Sequence, residues 1–317
     1  MVDRSDVRIE NRTLPLVDRP EDSRRMAAYV QVLIDQFHRR TPIRAGSLVV
    51  TVFGDAVVPR GGVLSLESLL AITRALRIGD GVVRTALSRL VADGWFARRK
   101  VGRNSFYRLT PEGAEPFAQA TRRIYDSAPQ PWSGRFDLLL LDGAEDRPGL
   151  RADLAAAGYG ALGPDLMIGA VAQAGEGAFL RLAATPEDPE TARRLAARAW
   201  PLDAVGARYA RFVAAFGPAA ASLAEGERPD DLHALVLRLL LIHEYRRVVL
   251  RDPGLPACLL PEDWPGEAAR DLCGRLYRSL LPASERWLSA HARTDEGPLP
   301  PPGPAFAERF AAASHVT

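Results

Sequence analysis

Between Val82 and Leu90 the sequence VVRTALSRL interleaves Arg84, Thr85, Ser88 and Arg89 with Val83, Leu87 and Leu90. On a helix the apolar Val83, Leu87 and Leu90 fall at i, i+4 and i+7 and share one face, leaving Arg84, Thr85 and Ser88 opposite and Arg89 at the margin. An arginine fork donates two hydrogen bonds to guanine in the major groove, and Thr and Ser hydroxyls bond phosphate or a base edge. Just downstream, ARRKVGRNSFYRL adds Arg98, Arg99, Lys100, Arg103 and Arg108, with Asn104 and Ser105 near a turn. A loop this basic beside a groove-sized helix bridges phosphates or enters the minor groove. Charge runs usually do no more than solvate a surface. Here residue order, spacing and charge agree, and the pattern predicts double-stranded DNA as the partner.

The distribution of charge points the same way. From Arg44 to Arg108 there are 11 Lys or Arg against 4 Asp or Glu, an excess of +7, while the rest of the chain holds 30 against 35, or −5, for a net +2. A local cationic excess in a nearly neutral chain is the footprint of a polyanion partner.

Two other motifs offer chemistry that their context withdraws. GYGALG, Gly158 to Gly163, has the G-x-G-x-x-G spacing, but a dinucleotide site needs a strand before it and a helix after it, so that the helix N-terminus meets the pyrophosphate. This stretch follows a helical pattern and precedes strand-like residues, so its glycines read as turn and strand-entry positions. His243-Glu244 resembles the start of H-E-x-x-H, but Arg247 stands at the second His position, and a guanidinium that stays protonated is no zinc ligand. Cys258 and Cys273 are the only cysteines, too few for a disulfide framework, and they read as reduced structural residues. No metal or cofactor is expected.

The elements that must position the basic residues are legible in outline. Arg24 to Phe37 carries a helical apolar stripe. AGSLVVTVFGDAVVP is short, apolar and β-branched, and periodicity leaves strand and buried helix equally open. Ser65 to Leu76 reads as a helix capped by Ser65, with Ser68 in the place of the capping-box Glu. RIGD then turns the chain into a second helix over Gly81 to Ala92, ending at Asp93-Gly94. Arg98 to Leu109 alternates around VGRN as a hairpin, giving helix, turn, helix, hairpin: the order of a winged helix-turn-helix. A further helix reaches about Tyr125, and SAPQPWSG marks a boundary.

RFDLLLLD, GALGPDLMIGAV and GAFLRLAA then read as strands, and DRPGLRADLAAAG and Pro189 to Ala199 as helices, a small α+β sandwich. From Leu202 the chain is helical: Asp230 to Leu250 is apolar on most of its circumference and must be buried, and a last helix carries Leu272, Leu276 and Leu280. The fold class is thus mostly α with α+β parts. The expected division is a flexible tail over 1–22, a DNA-binding domain over 23–128, a central α+β domain over 129–205, a helical domain over 206–295 and a Pro-rich tail over 296–317 without a core-forming pattern. With 47% hydrophobic residues and no apolar run near the ~20 residues a bilayer span needs, the chain is expected to be a cytoplasmic protein with no membrane partner.

SLVVTVFGDAVVPRGG, VRTALSRLVADGW, GRNSFYRLTPEG, FDLLLLDGAEDR and LIHEYRRVVLRDPGLPACLLPEDWPG, covering most of Ser47 to Leu281 in order, together resemble the PaaX-type transcriptional regulators. The resemblance implies an N-terminal winged helix, a central ferredoxin-like domain similar to small CRISPR-associated nucleases, and a C-terminal helical domain. It also implies a homodimeric repressor of aromatic catabolism, such as phenylacetate genes, released from operator DNA by an aryl-CoA thioester. A dimer fits an inverted repeat, because two helices one DNA turn apart read two half-sites.

For such an effector, Arg246 and Arg247 would hold phosphates, with Tyr245 or Trp264 against an aromatic part and His243 beside them. The alternative is an interdomain network in which Glu244 pairs with the arginines and His243 is a satisfied buried residue. Asp142 matches the strand-end Asp that the similar nucleases use for metal, though Asp is common in turns. A metal-dependent nuclease, and a scaffold binding an acidic partner, are the competing classes.

Overall fold

The computed structural model describes residues 20–39, 45–126, 131–142, 145–171 and 174–311. Helix α1 (Pro20–His38) begins earlier than the apolar stripe and runs into the expected N-terminal tail, most of which lies outside the described residues. The ambiguous apolar stretch is helical: α2 (Ala45–Val52) continues into a π-turn, Phe53–Val57. Its Leu48, Val49, Val52 and Phe53 are all buried, and a short run this uniformly apolar, with Val50 only half-buried, lacks the polar face that would mark a helical period.

β1 (Val63–Ser65) leads into α3 (Leu66–Ala75), whose first turn is capped by Ser65 Oγ accepting from Ser68 N at 3.1 Å. The turn into α4 (Asp80–Ala92) puts Arg77 in the left-handed region, φ 55°. Arg74, at the end of α3, donates to Asp80 through Nε (2.8 Å) and Nη2 (2.5 Å), a bidentate bridge across the turn. α4 closes with the paired bonds of a Schellman motif, Gly94 N to Val91 O and Trp95 N to Leu90 O, with Gly94 at φ 75°. β2 (Phe96–Val101) and β3 (Asn104–Leu109) form a hairpin around Gly102-Arg103 and join β1 in an antiparallel sheet ordered β1-β3-β2. Thr110 Oγ1 caps α5 (Pro111–Thr121) by accepting from Gly113 N and also donates to Gly94 O at 2.6 Å, so one hydroxyl ties the start of α5 to the end of α4.

The central part holds β4 (Phe136–Leu141), α6 (Arg147–Ala156), β5 (Gly160–Ala161), β6 (Leu166–Gly169), β7 (Phe179–Ala184) and α7 (Pro189–Ala199). Its strands are antiparallel in the order β5-β6-β4-β7. A ferredoxin-like β-α-β-β-α-β chain carries its second helix between the third and fourth strands; here α7 follows the fourth strand instead. The segment between β6 and β7 is short and contains Gly175 and Gly177, which oppose a helix.

α8 (Leu202–Ala224), α9 (Asp231–Val249) and α10 (Gly266–His291) make the helical part. They do not form a separate core. One apolar cluster runs from Met26 and Phe53 through Leu87 and Phe96 to Leu240, Leu276 and Phe310, so the expected boundaries at 128 and 206 divide the sequence but not the packing around α1 to α4. The expected tail after 296 is likewise overturned through Ala311. β8 (Arg293–Thr294) pairs with β9 (Gly297–Pro298), Leu299 and Phe310 are buried, and Gly303 N bonds Pro59 O. Cys273 is buried as expected, whereas Cys258 is exposed.

Asp55, on the π-turn, ties these segments together. Its carboxylate pairs with Arg238 Nε of α9 at 2.8 Å and Arg309 Nη1 at 3.2 Å, and accepts from Tyr125 (2.8 Å) and Tyr277 (2.9 Å). Arg238 also reaches Glu285 of α10 at 2.6 Å, and Glu285 pairs with Arg60. Burial opposes the charge on Arg238, but Asp55, Tyr277 and Glu285 outweigh it and hold its pKa above the ordinary value.

Candidate nucleic-acid interface

Val83 and Leu87 are fully buried beneath α4, and Leu90 packs partly against the same core. The opposite face of the helix, with Arg84, Thr85, Ser88 and Arg89, is exposed. Thr85 and Ser88 donate back to the carbonyls of Gly81 (2.9 Å) and Arg84 (3.0 Å), which leaves their oxygens as acceptors. Among the described residues, neither the Arg84 nor the Arg89 guanidinium forms a salt bridge, although Arg84 helps to lower the pKa of Asp80, one turn before it. In the hairpin Lys100, Arg103 and Asn104 are likewise exposed and unengaged, with Arg103 at the tip.

Three hairpin positions expected to touch DNA are already occupied. Ser105 is buried and accepts from Arg98 Nε (3.2 Å) and Nη2 (2.9 Å), so it orients Arg98 and does not itself face out. Arg99 pairs with Asp295 of the β8–β9 turn at 2.7 Å. That contact could not be read from the sequence, because nearly two hundred residues separate its partners.

The five residues expected to meet an effector do not converge. His243 is buried, its Nδ1 3.0 Å from Thr51 Oγ1 and its ring edge-on to Phe37. Tyr245 is buried against Phe212 and Phe310, and Trp264 packs on Tyr209. Arg246 donates to Ser47 O (2.8 Å) and Thr51 Oγ1 (2.9 Å) of α2. Only Arg247 lines a groove of about 560 Å³ between α1, α8 and α9. Its floor includes Phe37, Phe212 and Phe216, and its rim carries Arg208, Arg211, Arg247 and Arg251 against the single acid Glu244. The paired spacing of Arg208 and Arg211 on α8 was the available signal for this site.

Asp142 lies exposed just beyond β4. Among the described residues no group of three or more His, Cys, Asp or Glu is placed to hold a metal ion. Gly158 takes φ 94° after α6, and Gly160 enters β5, the turn and strand-entry roles expected of GYGALG. No helix among the described residues is long and apolar enough to cross a membrane.

Fold and surface define a protein that displays free cations on one helix and one hairpin, on a body built largely of helices. Comparison with known proteins gives the family. Residues 44–113 match the model of the PaaX-like protein and residues 200–290 that of the PaaX-like protein C-terminal domain. The chain is 36% identical over 288 residues, 85% of its length and 90% of the relative's, to the transcriptional repressor PaaX of Escherichia coli (strain K12). This chain belongs to the PaaX family. Its fold is similar to that of the uncharacterized protein Rv0674 from Mycobacterium tuberculosis, with TM-score 0.52 and 22% identity, over 76% of this chain and 97% of that one.

Proposed function

We propose that this protein is a DNA-binding transcriptional repressor of the winged helix-turn-helix type, with α4 as the recognition helix and the β2–β3 hairpin as the wing. The observation that carries the reading is the exposed set Arg84, Arg89, Lys100 and Arg103, without salt bridges among the described residues, in a chain kin to a named repressor. Cations exposed together on a groove-sized helix and the adjoining wing suit a phosphate backbone and base edges. Membership of a regulatory family, rather than any missing cluster, sets the enzymatic alternatives aside.

The repressor acts as a homodimer on an inverted repeat. Leu140, Leu180 and Leu182 are 38%, 55% and 54% exposed on adjoining strands β4 and β7, an apolar surface suited to a second copy. An aryl-CoA thioester is the effector, and the arginine-rimmed groove is its site: guanidinium groups take the phosphates and the aromatic floor takes the acyl group. Binding releases DNA only if the groove prefers a state in which the two recognition helices are misplaced.

Titrating phenylacetyl-CoA into the complex of the protein with its own upstream DNA tests this reading in a mobility-shift assay. The thioester is expected to release the DNA, and the Arg208→Ala/Arg211→Ala variant to need at least about tenfold more of it, since charge-assisted bonds to phosphate are lost. A complex indifferent to the thioester removes the effector assignment, and no specific complex removes the repressor reading.

A further inference from the structure

A second, smaller cavity of about 190 Å³, open to solvent on one side, lies on the other side of α9, lined by α2 and its π-turn, Trp95, and α5 with the turn that follows it. Ile242, Arg246 and Leu250 line it, whereas Glu244, Arg247 and Arg251 face the arginine-rimmed groove. The walls are almost wholly apolar, with Trp95, Phe117 and Ile124 opposite Ile242.

Arg246 makes this cavity more than a packing defect. Its Nη1 donates to Ser47 O and Thr51 Oγ1, both neutral acceptors, and among the described residues no carboxylate pairs with it. Asp55 also lines the cavity, but its oxygens are held by Arg238, Arg309, Tyr125 and Tyr277. Burial lowers the Arg246 pKa, the mark of a cation whose surroundings do not repay its desolvation. Nε and Nη2 have no acceptor among the described residues and remain for a ligand. A guanidinium edge matches one carboxylate, and a cavity of roughly 150 Å³ suffices for benzene, so the space holds one ring with a short acid arm.

We propose that this cavity is a binding site for a small monocarboxylate with a single ring-sized apolar body, its carboxylate on Arg246 and its ring between Phe117 and Ile242. A phosphate ester would set two charges against apolar walls with one cation to meet them. The bound ring would touch α2, which packs on α4, and Trp95, at the root of the wing.

Equilibrium dialysis of the full chain against benzoate, with benzamide as the neutral isostere, tests the assignment. Saturable binding of one benzoate per chain is expected, with benzamide and the Arg246→Met variant each weaker by at least about tenfold, because a charge-assisted pair is lost. Ala120→Leu, which fills the cavity from α5 and leaves Arg246 in place, is expected to abolish binding in a protein that still unfolds cooperatively. Absence of saturable benzoate binding, equal affinity for acid and amide, or unaltered binding in folded Ala120→Leu would each overturn the proposal. The measurement contains no DNA, so its failure is distinct from failure of the repressor reading.

Discussion

At the scale of single residues, the proposed function gives Arg84 and Lys100 different tasks. Arg84 projects from the exposed face of α4, where a fork reaches base edges, while Lys100 sits on a wing strand as a point charge suited to phosphate. Arg84→Ala should cost about 1–3 kcal/mol on the preferred sequence and much less on random DNA. Lys100→Ala should weaken both alike and reduce the salt slope by about one. Fluorescence-anisotropy titrations at several salt concentrations separate the two, and equal losses for Arg84→Ala on both DNAs remove it from base readout. These residues were legible because their environment is local: the i, i+4, i+7 spacing that buries Val83 and Leu87 also decides what faces out. Ser105 was misread because a strand of six residues leaves its facing undetermined until its partner strand, with Arg98, is known.

At the scale of elements, an exposed ion pair bridges α3 and α4 at their junction. The hydrogen bonds from Arg74 hold the Asp80 carboxyl below its ordinary pKa. A depressed folded-state pKa contributes stability that is present above the unfolded value and is lost as pH falls through the folded value. Asp80→Asn should therefore flatten the acid limb of the stability profile and leave the profile between pH 7 and 9 unchanged, as followed by urea midpoints across pH; an unaltered acid limb would show that the fork holds nothing at this turn. Capping and turn chemistry made these elements readable, with boundaries displaced by only a residue or so at Asp80. The helix over Ala45–Val52 was not separable from a strand, because its apolar residues are too few and too continuous to show a period, and its packing against α4 and α9 is set by distant segments.

At the scale of the whole molecule, the parts that looked separable in sequence share one core, and Asp55 is its electrostatic centre. Removing it leaves Arg309 buried without its counter-charge and Arg238 with Glu285 alone. Asp55→Ala should destabilise the protein by about 3–5 kcal/mol, seen as a lower urea midpoint, and a loss under 1 kcal/mol would show that the network is incidental. None of this was visible in sequence. Asp55, Arg238, Glu285 and Arg309 are scattered over the chain, and Leu299 and Phe310 are isolated apolar residues in a Pro-rich stretch with no period. The arginine-rimmed groove was hidden for the same reason, since α1, α8 and α9 each contribute only a few residues to it.

The central claim is that α4 and the wing read DNA. The most direct test is the affinity of the full chain for its own upstream DNA relative to a scrambled duplex, measured across salt concentrations. A preference of at least about a thousandfold is expected, with an affinity that falls steeply as salt rises. Equal affinity for the two duplexes, or binding indifferent to salt, would contradict it.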